Sequence, residues 1–163
     1  MKGSEEVLKH LQDLLNCELG ARDQYFGHSR KYKDWGLLKL AERLDHEKDE
    51  ETEHANIIIE RMLFLEAEPD FNQQDQAKIG STVREMLQND LDVEYKVDGM
   101  LKEAMTICEQ VQDYETRELL AKLLDDTEMD HAYFLERQLR LIDMVGERNY
   151  LQSQMGAEPG DSA

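Results

Sequence analysis

The sequence predicts an all-α protein: a bundle of four long helices with one long crossover connection and a short fifth helix at the C-terminal end. Only 2 prolines and 9 glycines occur among 163 residues, so turns interrupt the chain rarely. Apolar residues recur at helical spacing along four long stretches. The connection between the second and third stretches has about fourteen residues, enough to run the length of such a bundle.

The first two helices each have one clear apolar face. The first is predicted from Ser4, a residue type suited to an N-cap, to about Lys33. Its apolar face is formed by Val7, Leu11, Leu14 and Tyr25. The second helix is predicted from about Trp35 to Glu66. Its apolar face is formed by Leu37, Leu40, Leu44, Ile58, Met62 and Leu65.

The remaining helices follow a weakly apolar connection over residues 67–80. The third begins near Ser81, and a break near residues 112–114 separates it from the fourth. Its apolar face is formed by Val83, Leu87, Leu91, Val97, Leu101 and Cys108, and that of the fourth by Leu120, Leu124, Leu135, Leu139 and Ile142. Gly146 ends the fourth helix. A short fifth helix follows over residues 147–154, so we expect one domain over 1–154 and a flexible tail over 155–163.

The connection lengths predict the topology of the bundle. Short joints make the first and second helices antiparallel, and likewise the third and fourth. Helices of about thirty residues are about 45 Å long. An extended connection of about fourteen residues spans that length, so the second and third helices are predicted to run parallel.

Composition excludes several classes of function. The net charge is −18, which is opposite to what nucleic-acid binding requires. No apolar stretch is long enough to span a membrane, and the N-terminal segment lacks the apolar core of a signal peptide. Cys17 and Cys108 form neither a metal-type nor a redox pair by spacing. These features predict a cytoplasmic protein.

Acids and histidines interrupt the apolar faces at positions that should point inward. Continuing each helical series places one Glu on the first helix, Glu and His on the second, one Glu on the third, and Glu and His on the fourth. These residues are Glu18; Glu47, Glu51 and His54; Glu94; and Glu128 and His131. Buried carboxylates are costly unless they are paired or bind a metal.

The ionisable residues also form a repeated pattern. Glu51 and His54 form one Glu-x-x-His motif, and Glu128 and His131 form a second, each with both side chains on one helical face. Glu18 precedes the first motif by 33 residues and Glu94 precedes the second by 34. Packing the two helical hairpins together would gather all six residues around a pseudo-twofold axis.

This set of residues predicts a site for two metal ions. Four carboxylates balance the charge of two divalent cations, and two neutral imidazoles complete the ligand set. Mixed nitrogen and oxygen ligands suit Fe, Mn or Zn better than Mg or Ca. The same ligand set is known from four-helix di-iron carboxylate proteins.

The chain closely resembles the bacterioferritins, a branch of the ferritin family, from Met1 to about Gln154. The resemblance rests on the segments CELGARDQYF, DWGLLKLAERLDHEKDEETEHA, ERMLFLE, MLQNDLDVE, DTEMDHAYFLE and NYLQSQ. It implies a ferritin-like bundle, iron storage, and a hollow shell of about 24 subunits. It also implies partners: Fe²⁺, O₂ or H₂O₂, and a small ferredoxin for iron release.

The resemblance further implies a ferroxidase centre that holds two Fe in each subunit. Glu18, Glu51, His54, Glu94, Glu128 and His131 match the family's ligand positions one by one. Within this set, Glu51 and Glu128 are expected to bridge the two ions. Each ion then has one terminal carboxylate and one imidazole.

The family also binds haem between two subunits through one methionine from each. Thr52 stands at the matching position here. A hydroxyl is a poor substitute for a thioether at haem iron, so we expect little haem b in a homomeric shell. A second subunit type that carries the methionine would restore haem in a mixed shell.

Other residues are weaker candidates. Tyr25 lies on the same face as Glu18 and is either an electron donor during oxygen reduction or a buried tyrosine with a satisfied hydroxyl. His46 and Glu50 resemble the family's inner-surface iron site, although a solvated helical face is the simpler explanation. Asp90 is a candidate to orient a ligand histidine. His28 is expected on the surface.

Three alternatives remain open. A rubrerythrin-like peroxidase usually needs an additional four-cysteine iron site, which two cysteines cannot form. A DNA-protecting mini-ferritin places its ligands between subunits and lacks the second motif. The third alternative is a purely structural shell subunit that holds zinc.

Overall fold

A computed structural model describes residues 1–156 of the chain, and within this range all regular structure is helical. The elements are α1 (Glu5–Asp34), α2 (Leu38–Phe64), α3 (Val83–Gln110), α4 (Tyr114–Asp125), a π-helical segment (Asp126–Ala132), α5 (Tyr133–Val145) and α6 (Glu147–Gln154). The α4 helix, the π segment and α5 follow one another without a break and form the fourth long rod of the bundle. The predicted four-helix bundle with a short C-terminal helix is confirmed.

Local chemistry explains where the helices begin and end. Thr82 caps α3 by accepting a hydrogen bond from the backbone N–H of Glu85 at 3.1 Å, while the Glu85 carboxylate accepts one from the N–H of Ser81 at 2.9 Å. The α2 helix begins at Leu38, three residues later than predicted. Gly36 precedes it with φ +81°, a conformation that no helix can contain.

Contacts between the rods establish their directions. Glu18 of α1 lies near His54 of α2, and Ser29 of α1 bonds Asp45 of α2, so these two helices are antiparallel. The α3 helix is also antiparallel to α1, because Tyr25 bonds Glu94 whereas His28, later in α1, contacts Asp90, earlier in α3. Two helices that are both antiparallel to α1 run parallel to each other, as predicted for α2 and α3.

The crossover between α2 and α3 is extended and lies along α1. Its backbone or side chains bond successive positions of that helix: Asp70 pairs with Gln12, Asp75 with Asn16, Lys78 with Gln24 and Gly80 with His28. Gly20 permits the close approach, since an added Cβ there would lie 2.7 Å from the carbonyl oxygen of Asp75. The crossover is therefore fixed to the bundle along most of its length.

The interior is divided into two apolar halves. One half is built around Leu11, Leu14, Ile58 and Leu101, and the other around Leu40, Leu44, Met86 and Leu87. Buried polar residues occupy the level between the halves, and they include Glu18, Glu47, Glu51, His54, Glu94 and His131. We call this level the polar belt.

The π segment is the main departure from the expected helices. A continuous α-helix was expected there, with Leu124 and Glu128 on its inward face. Bonding from residue i to i+5 turns the chain less per residue, so residues three apart no longer share a face. Leu123, Thr127 and His131 are buried instead, and Glu128 is exposed.

Two further observations concern the ends and the surface. The expected flexible tail, 155–163, lies outside the described residues except for 155 and 156. Among the described helices, none combines the length and the apolar composition needed to cross a membrane.

Candidate metal centre

The first half of the polar belt is formed by α1 and α2. Glu18 is 1% exposed, and Glu51 and His54 are comparably buried. His54 Nδ1 lies 3.7 Å from Glu18 Oε2 and 3.5 Å from Glu51 Oε2. One ligand atom from each residue falls within 4.8 Å of the others, close enough to hold one cation. Two carboxylates and one imidazole suit a transition-metal ion.

The second half is formed by α2, α3 and the π segment. His131 Nδ1 lies 2.9 Å from Glu51 Oε1 and 3.4 Å from Glu94 Oε1, and all three residues are buried. These residues again place one ligand atom each within 4.8 Å. Glu51 thus belongs to both halves, using one oxygen in each. The rings of His54 and His131 are stacked with centroids 5.5 Å apart.

Many of these buried atoms have no hydrogen-bond partner. They are both carboxylate oxygens of Glu18, Oε2 of Glu51, and Nδ1 of His54 and of His131. Buried polar atoms are nearly always hydrogen-bonded, because an unsatisfied one costs stability. Here the unpaired atoms face one another in two adjacent groups, which is the arrangement that a pair of cations would satisfy. The donor set therefore fits a two-metal site.

Protonation partly offsets the crowding of charge when no metal is present. Burial and the adjacent charge of Glu51 raise the pKa of Glu18 well above its usual value. Burial opposes ionisation of Glu51 too, but the close approach of Glu18, His131 and His54 outweighs burial and lowers the pKa of Glu51. Burial lowers the pKa of His54, yet the nearby carboxylates of Glu18 and Glu51 prevail and raise it to about 11. Protons therefore hold the metal-free site together.

Tyr25 belongs to the apolar half of the interior built around Leu40 and Leu44, and its hydroxyl reaches the polar belt. Its hydroxyl donates a short hydrogen bond to Glu94 Oε1. Burial, followed by the charge of Glu94, raises the pKa of Tyr25 well above that of free tyrosine, so the hydroxyl keeps its proton at neutral pH. The hydroxyl is thus satisfied, and it is also adjacent to a predicted ligand.

Glu128 lies away from the other five predicted ligands. Its side chain is 44% exposed, and Oε1 contacts Lys102 Nζ on α3 at 2.9 Å. The expected shared face with His131 required α-helical winding, and the π segment removes it. The structure therefore brings together Glu18, Glu51, His54, Glu94 and His131, and leaves Glu128 outside the cluster.

Other carboxylates contact the outer nitrogens of the two imidazoles. Asp126 Oδ2 lies 3.1 Å from His54 Nε2, and Glu47 Oε2 lies 2.9 Å from His131 Nε2. Such contacts orient a ligand histidine and raise its basicity. Glu47 was recognisable from its place on the inward face of α2. Asp126 was missed, because its position depends on the π segment.

The pair of His46 and Glu50 is only partly solvated. His46 Nε2 contacts Glu50 Oε1 at 3.1 Å on the surface of α2. The other Glu50 oxygen contacts His131 Nε2 at 2.7 Å, and that hydrogen bond lowers the pKa of Glu50 to about 2. Glu50 therefore links an exposed histidine to the buried centre, whereas the solvated-face explanation expected no such contact.

His28 and Asp90 differ from their expected roles. His28 is fully buried rather than on the surface. Its Nδ1 lies 2.8 Å from Asp90, and its Nε2 accepts a hydrogen bond from the backbone N–H of Gly80 at 3.0 Å. Asp90 thus orients a histidine, but one that anchors the crossover rather than a predicted ligand. No periodicity argument could have found these contacts, since Gly80 lies in the crossover rather than in a helix.

Thr52 is exposed on α2 and takes no part in the cluster. Its hydroxyl donates to the carbonyl oxygen of Lys48 at 3.0 Å. The residue therefore offers haem iron no thioether, and its one polar group is already bonded within the helix. The side chain does not fit the role of an axial haem ligand.

Comparison with known proteins finds one family throughout. A family model described as "Ferritin-like domain" matches residues 8–145. The chain is 62% identical to the bacterial ferritin of Synechocystis sp. over 155 residues, which cover 95% of this chain and 99% of that protein. It is 49% identical to the bacterial ferritin of Neisseria meningitidis serogroup B, with coverage of 95% and 100%. Identity to the bacterioferritin of Brucella melitensis is 40% over 163 residues, with coverage of 100% and 99%.

Proposed function

The chain belongs to the ferritin family, and from this premise we propose that it stores iron after oxidising Fe²⁺ at a two-iron centre in the polar belt. One observation carries the proposal: carboxylate and imidazole atoms that are buried, unpaired and grouped in two adjacent sets of three residues. Iron-binding helical bundles use this combination of ligands.

Each half of the belt would hold one Fe²⁺ as substrate. Glu18 and His54 hold the first, Glu94 and His131 hold the second, and Glu51 bridges them. Glu128 is the proposed second bridge, which requires its side chain to turn inward from Lys102. The three buried carboxylates that act as ligands, Glu18, Glu51 and Glu94, carry one negative charge too few for two divalent cations, so a fourth carboxylate ligand completes the balance.

Binding iron requires the site to lose protons. Both imidazoles and Glu18 hold protons when no metal is present, because neighbouring carboxylates favour the protonated imidazoles and burial favours the neutral form of Glu18. Metal ions bind the deprotonated ligands. Iron binding therefore releases protons and weakens as the pH falls.

The oxidation transfers electrons in pairs. Two adjacent Fe²⁺ ions each lose one electron, and O₂ gains those two electrons and two protons to form H₂O₂. If H₂O₂ is the acceptor, two electrons and two protons break its O–O bond and form two waters. In both cases no free one-electron oxygen radical is made. Tyr25 is a proposed donor where only one Fe²⁺ is available: that ion and Tyr25 each give one electron, and O₂ gains these two electrons, the hydroxyl proton of Tyr25 and one proton from water to form H₂O₂, leaving Fe³⁺ and a neutral tyrosyl radical.

The ferric product is proposed to collect in the cavity of a shell of about 24 subunits. We place this shell in the cytoplasm, where Cys17 and Cys108, both free and buried, stay reduced. A small ferredoxin is the proposed reductant for iron release.

Anaerobic titration followed by exposure to oxygen tests the proposed function. Fe²⁺ is added to metal-free protein, O₂ is admitted, and ferric absorbance is followed by stopped flow. We expect a fast phase that saturates at about two Fe²⁺ per subunit, as two adjacent sites require. Bound Fe²⁺ that is oxidised no faster than in buffer would favour a structural shell with zinc in the site.

A further inference from the structure

Glu128 is held outside the centre by a specific ion pair. Lys102 Nζ lies 2.9 Å from Glu128 Oε1 and 2.8 Å from Asp98 Oδ2. Glu94, Asp98 and Lys102 follow one another at four-residue intervals on α3, so Lys102 lies two turns from a predicted ligand. Lys102 therefore links the surface of α3 to Glu128, the one predicted ligand that lies outside the cluster.

The winding of the fourth rod places Glu128 where Lys102 can reach it. In the π segment Thr127 is the buried residue, and its hydroxyl donates to the carbonyl oxygen of Leu123 at 2.8 Å. Glu128, the next residue, is directed toward α3. This pairing is weak, because both of its members are about half exposed and exposed ion pairs contribute little stability.

The metal-free centre has a reason to exclude a fourth carboxylate. A charged carboxylate loses its hydration when it enters a buried site, and in the metal-free belt no metal ion compensates for that loss. When two divalent cations bind, the balance reverses and a fourth carboxylate is favoured. A weak external partner for Glu128 can then be displaced.

We propose that Lys102 is a positioning residue that holds Glu128 outside the metal-free centre and releases it when the second divalent cation binds. Lys102 thereby sets the affinity for that second cation. The inference rests on the proposed function, since it takes Glu128 as a ligand of the loaded centre. It concerns this chain's own ion pair and does not depend on the oxidation step.

Anaerobic Co²⁺ titration of the assembled protein tests the role of Lys102 without any turnover. Visible absorbance reports each Co²⁺ as it binds. In Lys102→Met, Glu128 has no partner to leave, so we expect the second Co²⁺ to bind about threefold to fivefold more tightly, the size of an exposed ion pair. Binding of the first Co²⁺ should not change. Lys102→Arg keeps the pair and should bind as the unaltered protein does.

Two controls separate this mechanism from a simple loss of positive charge. Lys9→Met removes another exposed lysine, whose partner, Asp13, lies in the same helix at 3.1 Å and whose ion pair does not involve Glu128. This variant should leave both affinities unchanged. In a Glu128→Gln background, Lys102→Met should have no effect, because the residue that Lys102 holds has lost its charge.

The outcomes distinguish the inference from the proposed function. Tighter binding in Lys102→Met that persists with Glu128→Gln would overturn the inference, since it would reflect charge alone. Equal affinities in Lys102→Met and the unaltered protein would also overturn it. Binding of fewer than two Co²⁺ by the unaltered protein would instead count against the two-metal centre.

Discussion

At the scale of single residues, the carboxylates of Glu51 and Glu94 make different contacts. Glu51 approaches both imidazoles, with one oxygen near His54 and the other near His131. Of the two imidazoles, Glu94 approaches only that of His131, and it accepts a hydrogen bond from the hydroxyl of Tyr25. Removing Glu94 should therefore disable one metal position while leaving the other intact, which makes it the cleaner residue to test.

Glu94→Ala should slow the fast oxidation of Fe²⁺ by at least about tenfold. Loss of a residue that only orients a metal ligand already lowers metal affinity or activity by about this factor, and Glu94 is itself a proposed ligand. Assembly should be unaffected, since the apolar halves are unchanged. Stopped-flow absorbance measures the initial rate. Glu103→Ala, which removes an exposed acid from the same helix, is the control. Initial rates unchanged by Glu94→Ala would refute its assignment as a ligand.

The stability of the metal-free protein should depend on Glu94 in a pH-sensitive way. Burial and the charge of Glu51 raise the pKa of Glu94 to about 7, above its ordinary value of 4.5. The folded state thus favours protonated Glu94, and the stability from that preference is lost as the pH rises from 4.5 through 7. Glu94→Gln mimics the neutral form and can still accept from Tyr25.

We therefore expect Glu94→Gln to raise the melting temperature of chelator-treated protein at pH 8 more than at pH 5. Thermal unfolding followed by circular dichroism gives the two differences. The same measurement on Glu103→Gln should give no pH-dependent difference. A gain at pH 5 that equals or exceeds the gain at pH 8 would contradict the raised pKa.

At the scale of elements, the crossover depends on a buried polar network. His28 accepts from Gly80 of the crossover and pairs with Asp90 of α3, so three segments meet at one ring. Gln24 supports the same network, donating to Asp90 at 2.7 Å and accepting from the backbone of Lys78 at 3.0 Å. Losing His28 would leave Asp90 and the Gly80 N–H buried with fewer partners.

His28→Ala should loosen the crossover by about 2 kcal/mol, because it leaves polar groups of Gly80 and Asp90 buried without a hydrogen-bond partner. The expected sign is faster proteolytic cleavage within residues 67–80, followed by mass spectrometry of the fragments. His10→Ala changes a histidine near the start of the same helix and should be cut as slowly as the unaltered protein. Equal cleavage rates in all three proteins would show that the network does not secure the crossover.

Sequence patterns predicted the elements well wherever one period held throughout. The inward faces of α1, α2 and α3 were read correctly, including buried Glu18, Glu51, His54 and Glu94. The fourth rod was read with the same period, and there the prediction failed at Glu128. A π segment cannot be recognised from apolar spacing. Its turn contains one more residue than an α-helical turn, and no amino-acid preference identifies where that extra residue occurs. His28 was misjudged because its partners come from distant segments.

At the scale of the whole molecule, exposed aromatic residues indicate contacts beyond one chain. Trp35, Phe64 and Phe71 are each more than 40% exposed on the monomer. Single exposed apolar residues are ordinary, but ferritin-family proteins form multimeric shells, so we propose these three as subunit contacts. We expect light scattering to report a closed assembly of about 24 subunits. A monomer at micromolar concentration would contradict this expectation.

We propose that haem binding depends on residue 52, which the resemblance to the bacterioferritins places at a contact between two subunits. A homomeric shell presents Thr52 from both partners, and its hydroxyl is already bonded within α2. We predict little haem in the purified homomer expressed with excess haem, and a gain in Thr52→Met, because a thioether is a suitable iron ligand. Ferroxidase activity should persist in this variant. The Soret band and a pyridine haemochrome assay measure the haem.

The control is Thr106→Met, an exposed threonine on α3 whose hydroxyl bonds the helix as that of Thr52 does. It should gain no haem. One haem per two subunits in the unaltered homomer would show that Thr52 is no obstacle. Haem that appears only when a second, methionine-bearing subunit is coexpressed would support a mixed shell.

The division of the interior into two apolar halves has a consequence for how such a protein can change over generations. The two halves supply the apolar burial that stabilises the fold, whereas the proposed metal chemistry lies in the belt between them. A substitution in the belt alters metal choice or reactivity while the scaffold survives, whereas a substitution in either half endangers both. Substitutions that change the chemistry are therefore tolerated at a few positions in the belt, and they leave the packing of the two apolar halves unchanged.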